Sequence, residues 1–313
     1  MSAWTNGGAR RHFALRTAGV FVALGLAWWL MREVDPTTWE DALARVPVAW
    51  WLLAAVVWLG SYGVRARRLQ QEWAHRGAVP WSRCLALVLQ YNAAVLLIPF
   101  RLGEAGYVLG VSRQWGVGVA EASWSLLRLR LQDLVVLGLL SLACLVPSGA
   151  WIAAGLALLG WGLRQGLGHH ASAPQAWGRW KWQALLMGSG WAASALNWML
   201  RLFVMAGCLM LLTPCEWGLA RAAAVGAETG SLWPLQGPAG LGPFEAGAWA
   251  AAAWKGAVPP GLVDAALITH LFCVVIALGA AALSLLFAPS SAKPLPHESP
   301  ESRHVTAAPS RVR

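Results

Sequence analysis

The sequence predicts an all-α polytopic membrane protein, with about six full spans and two re-entrant helical hairpins arranged as an inverted repeat. Three observations carry that prediction. Of the 313 residues, 58% are hydrophobic and 12% charged, whereas a soluble domain carries about 25% charged residues. Apolar runs recur along most of the chain, several of them close to the roughly 20 residues a helix needs to cross a bilayer. Two of these runs are interrupted by similar stretches, Pro99-Phe100-Arg101-Leu102-Gly103-Glu104-Ala105-Gly106 and Pro238-Ala239-Gly240-Leu241-Gly242-Pro243-Phe244-Glu245-Ala246-Gly247. In lipid, broken backbone survives only where protein or a polar cavity satisfies it. Paired interruptions in the two halves of a membrane protein point to a binding site.

The net charge of +10 does not describe a nucleic-acid surface. The basic residues cluster between apolar runs, where they act as positive-inside signals and as contacts for anionic headgroups. Many of the 22 tryptophans, including Trp28, Trp29, Trp50, Trp51 and Trp81, fall near expected helix ends, as an interfacial aromatic belt requires. The five cysteines are odd in number and form no C-x-x-C pair, so they read as small buried hydrophobes. His169-His170 lies in a basic stretch with no carboxylate or cysteine nearby. No metal site and no cofactor are expected.

The elements follow in order. Arg10, Arg11 and Arg16 precede an apolar run at residues 17–31. Trp28 and Trp29 stand where a cleavage site would need small residues, so the run reads as a retained span with a cytoplasmic N-terminus. Residues 32–47 form an acidic external loop, and residues 48–64 a second span. Arg65, Arg67, Arg68, Arg76 and Arg83 then form the strongest basic cluster, with Glu72 its sole acid, and should face the cytoplasm. Residues 84–116 contain the first interruption. They read as a hairpin that enters and leaves on the cytoplasmic side, or as a full span followed by an interfacial helix. Residues 120–146 form a long helix, polar at first and apolar later. Pro147-Ser148-Gly149 makes a turn before a short span at 151–163. Residues 164–183 form a basic cytoplasmic loop, and 183–212 a further span. Residues 218–257 form the second hairpin and 262–287 the last span. The membrane domain thus covers residues 1–288. Residues 289–313, rich in proline, serine and charge, read as a disordered cytoplasmic tail.

A charge held at mid-membrane costs roughly 2.5–3.5 kcal/mol on insertion scales. The charges inside the expected spans and hairpins should therefore be paired or line a wet cavity. Arg101 and Glu104 are three residues apart, as are Arg130 and Asp133, so each pair shares a helix face. Asn197 and Arg201 share a face at a spacing of four. Arg101, Arg128, Arg130 and Arg201 form the phosphate-facing candidates, because a guanidinium grips a phosphate through two N–H groups. Glu104, Glu245 and Glu228 would hold those arginines or meet an amine-bearing headgroup. Asp133 and His270 are also candidates, for a proton relay. The Gly237, Gly240, Gly242 run lacks the strand and Lys-Ser/Thr of a nucleotide loop, and also serves close helix packing.

These motifs resemble those of the lysylphosphatidylglycerol synthase transmembrane-region family, also called flippase-like. Residues 99–104 resemble its P-x-R-x-G-E motif, Arg130 and Asp133 its R-x-x-D, and Gly240, Gly242 and Glu245 its G-x-G-x-x-E, in the family's order. The resemblance covers roughly residues 10–288. It implies a multi-pass bacterial inner-membrane protein whose best-known relatives move aminoacylated phospholipid. The soluble aminoacyl-transferring domain of those relatives is not matched here, and Tyr107 stands where the family often has a basic residue. The expected function is therefore lipid translocation rather than an enzymatic reaction, with an anionic or aminoacylated phospholipid headgroup held between the hairpins. The expected substrate-binding residues are Arg101, Glu104, Arg128, Arg130, Asp133, Arg201, Gly240, Gly242 and Glu245. The alternative is an accessory membrane protein that binds lipid or scaffolds a lipid- or glycan-modifying enzyme. Partners would be the membrane, a phospholipid or lipid-linked headgroup, a second copy or such an enzyme, and not a nucleic acid.

Overall fold

A computed structural model describes residues 44–74, 77–169, 190–232 and 238–287, together with Thr37 and Glu40. The expected first span at 17–31, most of the 164–183 loop and the tail at 289–313 lie outside the described residues. What is described is helical, with no strand among those residues.

Helix α1 covers Val48–Glu72, α2 Trp81–Leu97, α3 Ala105–Trp115, α4 Val119–Leu145 and α5 Gly149–His169. Helix α6 covers Gly190–Leu212, α7 Trp217–Gly230, α8 Pro243–Trp254 and α9 Leu262–Phe287. Helices α1, α6 and α9 are long and apolar enough to cross a membrane. Helix α4 has the length, 27 residues, but carries Arg128, Arg130 and Asp133 in its middle.

Two elements differ from expectation. Helix α1 was expected to end near residue 64, yet it continues through Arg65, Arg67 and Arg68 to Glu72. Arginine, leucine, glutamine and glutamate propagate a helix well, and no glycine or proline intervenes before Gly77. Arg65, Arg67 and Arg68 therefore lie on a helical surface with one face turned inward, not in a loop. Helix α5 likewise continues past residue 163 to His169.

Both interrupted stretches form antiparallel helical hairpins. In the first, α2 ends at the β-region Ile98, the chain makes a tight 3-10 turn over Pro99–Glu104, and α3 runs back. A Cβ placed on Gly103 would overlap the backbone of Ala94, so this residue must be glycine for the turn to close. In the second, α7 and α8 contact backbone to backbone, and a Cβ on Gly226 would overlap the carbonyl of Gly247. The four hairpin helices have 17, 11, 14 and 12 residues. At 1.5 Å per residue even the longest reaches about 26 Å, short of the roughly 30 Å hydrocarbon core.

Around the hairpins, α1 packs on α6 and α2, α2 on α9, α4 on α5, α6 and α7, and α8 on α9. Trp50 lies against the backbone of Gly207 and donates its indole N–H to Cys208 Sγ at 3.3 Å. Because lipid tails are as apolar as leucine, such close packing rather than expulsion from water holds the helices together. Gly226→Leu is accordingly expected to lower the thermal unfolding midpoint in detergent. It should destabilise by about 1–3 kcal/mol or more, the usual cost of forcing volume into a packed contact. Gly155→Ala, at a site open on all sides, should leave the midpoint within error.

Candidate functional site

A cavity of about 460 Å³ lies where both hairpins meet α1, α4, α6 and α9. Its wall on α1 is a stripe at helical spacing: Trp58, Tyr62 and Arg65. The first hairpin contributes Asn92 and Glu104, and α4 contributes Arg130 and Asp133. Across from them stand Asn197, Trp198 and Arg201 of α6, with Glu228 at the end of α7. Gly240, Phe244 and His270 complete the wall.

Ionic contacts join the elements at this wall. Glu104, in the turn of the first hairpin, pairs with Arg130 of α4 at 3.1 Å. Asp133 pairs with the buried Arg68 of α1 at 2.6 Å and accepts a hydrogen bond from Ser194 of α6, also at 2.6 Å. Arg68 donates further to the Leu129 carbonyl and to Gln132 Oε1, at 2.9 and 2.8 Å. Arg201 donates Nε–H and an Nη2–H to Glu228 Oε1, at 3.0 and 2.7 Å. Its guanidinium lies 4.1 Å from the Trp58 ring centroid, a cation–π contact that gains strength as water is excluded.

The second hairpin is held differently. Gly240 and Gly242 adopt φ of 88° and 94°, where a Cβ would be strained, and turn the chain into α8. Glu245 sits at the third position of α8 and accepts the Gly242 N–H at 2.7 Å, satisfying one of the helix's free amides. Its other oxygen accepts Nδ1–H of His270 at 2.9 Å, and the His270 ring stacks on Phe244 at 4.1 Å. Glu245 therefore reaches the cavity wall through His270 and does not line it.

Residues 16–281 match the model of the lysylphosphatidylglycerol synthase TM region. The chain belongs to that family. Comparison with curated proteins returns no match. The family motifs recognised in the sequence fall on the turn of the first hairpin, on the cavity face of α4 and at the start of α8.

Of the nine residues expected at the site, Glu104, Arg130, Asp133, Arg201 and Gly240 line the cavity of this family member. Arg101 lies in the turn, and its side chain falls outside the described residues. Gly242 and Glu245 stand behind the wall. Arg128 points elsewhere, because two residues along a helix turn the side chain by about 200° from Arg130. It pairs with Glu72, at the end of a relay in which Trp73 donates to Tyr107, Tyr107 to Ser125 and Ser125 to Glu72. The buried Tyr107 hydroxyl is thus part of that relay. The pairing also differs from expectation. Glu104 finds Arg130 and Asp133 finds Arg68, while Arg130 and Asp133 of the same helix approach only to 4.0 Å. His270 binds Glu245 rather than Asp133.

Sequence reasoning passed over Arg65 and Arg68 by assigning them to a topology signal. Their spacing held the clue, since Tyr62, Arg65, Arg68 and Glu72 recur at three or four residues and continue the inward face of α1. Among the described residues no group of three or more His, Cys, Asp or Glu side chains is arranged to hold a metal.

Proposed function

We propose that this protein moves a phospholipid, or another lipid-linked headgroup, between the leaflets of a bacterial inner membrane. The headgroup would occupy the cavity while its tails stay in lipid. The cavity would open to each side in turn, with no covalent step. The supporting observation is one 460 Å³ space lined with charge from both halves of the chain. That is a large investment of polar side chains in a membrane protein unless a polar ligand enters. In this reading the two hairpins are re-entrant and enter from opposite faces. They belong to an inverted repeat in which α1, α2–α3 and α4 correspond to α6, α7–α8 and α9. Both termini would be cytoplasmic.

Four cavity residues support a polar occupant further. Trp58 Nε1, Trp198 Nε1, Asn197 Oδ1 and Arg130 Nε are buried without a hydrogen-bond partner among the described residues. Buried polar atoms are ordinarily satisfied, so these four would gain from a polar occupant; others, including those on Trp51, Arg68 and Thr269, lie outside the lining.

The test is headgroup movement in vesicles containing the purified protein, followed with a quenchable headgroup-labelled phospholipid. Glu104→Gln and Arg130→Gln are each expected to reduce the rate by at least about tenfold, because each breaks a charge-assisted contact at the wall. Unchanged rates in both variants would remove these residues from the site. Lipid that copurifies but never moves would favour the accessory, non-transporting reading.

A further inference from the structure

The cavity's carboxylates are already matched by arginines. Glu104 is paired with Arg130, Asp133 with Arg68 and Glu228 with Arg201. Glu245 stands outside the lining, with both oxygens taken by Gly242 N–H and His270. Arg65 is the exception among the lining guanidiniums. It has no carboxylate at ion-pair distance among the described residues, and its partners are neutral. Nη1–H donates to Asn92 Oδ1 at 3.2 Å and Nη2–H to the Tyr91 hydroxyl at 2.7 Å. The guanidinium also lies 5.5 Å from the Tyr91 ring centroid. Asn92 is fixed in turn, donating Nδ2–H to Tyr62 at 3.1 Å. The Arg65 side chain is thus held in place without being neutralised, and a guanidinium's five N–H donors leave it capacity for a ligand.

We infer that Arg65 is the anion-binding residue of the cavity, and that the group it takes is a singly charged phosphodiester. The inference rests on the headgroup reading proposed above and narrows it. Each lining carboxylate has an arginine of its own, Glu104 in Arg130, Glu228 in Arg201 and Asp133 in Arg68 from behind the wall, whereas among the described residues Arg65 has only neutral hydrogen-bond partners and so keeps a charge with no acidic partner. A phosphodiester monoanion cancels it. A headgroup bearing an added cationic amine would find no unpaired acid in the described wall, so the net-anionic headgroup is preferred over its lysylated form. A free phosphate presents similar oxygens, and the test separates the two sources.

The full chain is purified in detergent and titrated calorimetrically with dihexanoyl phosphatidylglycerol, the corresponding phosphatidylcholine, the lysylated phosphatidylglycerol and inorganic phosphate. Phosphatidylglycerol is expected to bind the wild type most tightly of the three lipids. Arg65→Gln should weaken that binding by about tenfold or more, the scale of a lost hydrogen bond to a charged group. Arg67→Gln, at an exposed arginine that bonds Gln70, should bind as wild type does. Arg65→Lys keeps the charge and loses the fork. It should weaken binding severalfold while keeping the preference for phosphatidylglycerol, and it carries the test if Arg65→Gln does not fold. Competition by inorganic phosphate that disappears in the variant would assign the site to the free anion. Phosphatidylglycerol binding that depends on Arg65 and resists phosphate would assign it to the lipid. Either outcome upholds Arg65. Wild-type affinity for phosphatidylglycerol in both Arg65 variants, or tighter binding of the lysylated lipid, would overturn the inference. Arg65-dependent binding without headgroup movement in vesicles would instead overturn only the transport reading.

Discussion

Asp133→Leu is expected to destabilise the protein by about 3–5 kcal/mol, the usual consequence of removing one partner from a buried ion pair. Asp133 sits at the junction of three helices. It accepts from Arg68 of α1 and Ser194 of α6 while belonging to α4. Without it, Arg68 keeps the Leu129 carbonyl and Gln132 but loses its counter-charge, and its side chain is only 7% exposed. The unfolding midpoint in detergent, with the change in slope monitored, measures the loss. The double variant Arg68→Met with Asp133→Leu should recover most of it, because the penalty comes from the stranded charge rather than from the missing bond. If the double variant is no more stable than the single one, the damage is to packing and the pair is not the cause.

Arg201→Leu is expected to have a comparable effect, about 3–5 kcal/mol, and also to abolish headgroup movement. It strands Glu228, whose side chain is 5% exposed, and it removes the guanidinium lying over Trp58. Arg201→Lys separates the two contributions. A lysine restores the charge opposite Glu228 but cannot supply two N–H groups to one oxygen or a flat surface to the indole. It should therefore regain much of the stability and little of the movement. Full recovery of movement by lysine would show that only the charge at this position matters.

The two variants fail for one reason, visible in how charges pair across the molecule. The spacing of Arg130 and Asp133, three apart on one helix, is compatible with a local pair. A local pair leaves the helices free to separate. The folded chain instead joins Arg130 to the turn of the first hairpin through Glu104 and Asp133 to α1 and α6. Each bond thus crosses between elements and helps to fix the cavity. The pairs must form in any case, since ions unpaired in lipid are expensive. Tertiary packing determined which partner each one found.

The sequence by itself determined the class of the protein, the helices α6, α9 and most of α4, and the two interrupted segments. Those features depend on local rules: hydrophobic runs, breaker residues and the cost of bare backbone in lipid. It also located Glu104, Arg130, Asp133 and Arg201 of the cavity lining, because a charge inside an apolar run is conspicuous in one dimension, and Gly240 through its glycine run. Only the tertiary structure decided that Arg128 faces away, that Glu245 works through His270, and that Arg65 and Arg68 belong to the interior. These outcomes depend on which side of a helix meets a neighbour. An arginine just beyond an apolar run reads equally well as a topology signal or as the inner end of a buried face. Packing of α1 against α2 and the bonds of Arg65 to Asn92 and Tyr91 and of Arg68 to Leu129, Gln132 and Asp133 hold both arginines inward while Arg67 stays exposed.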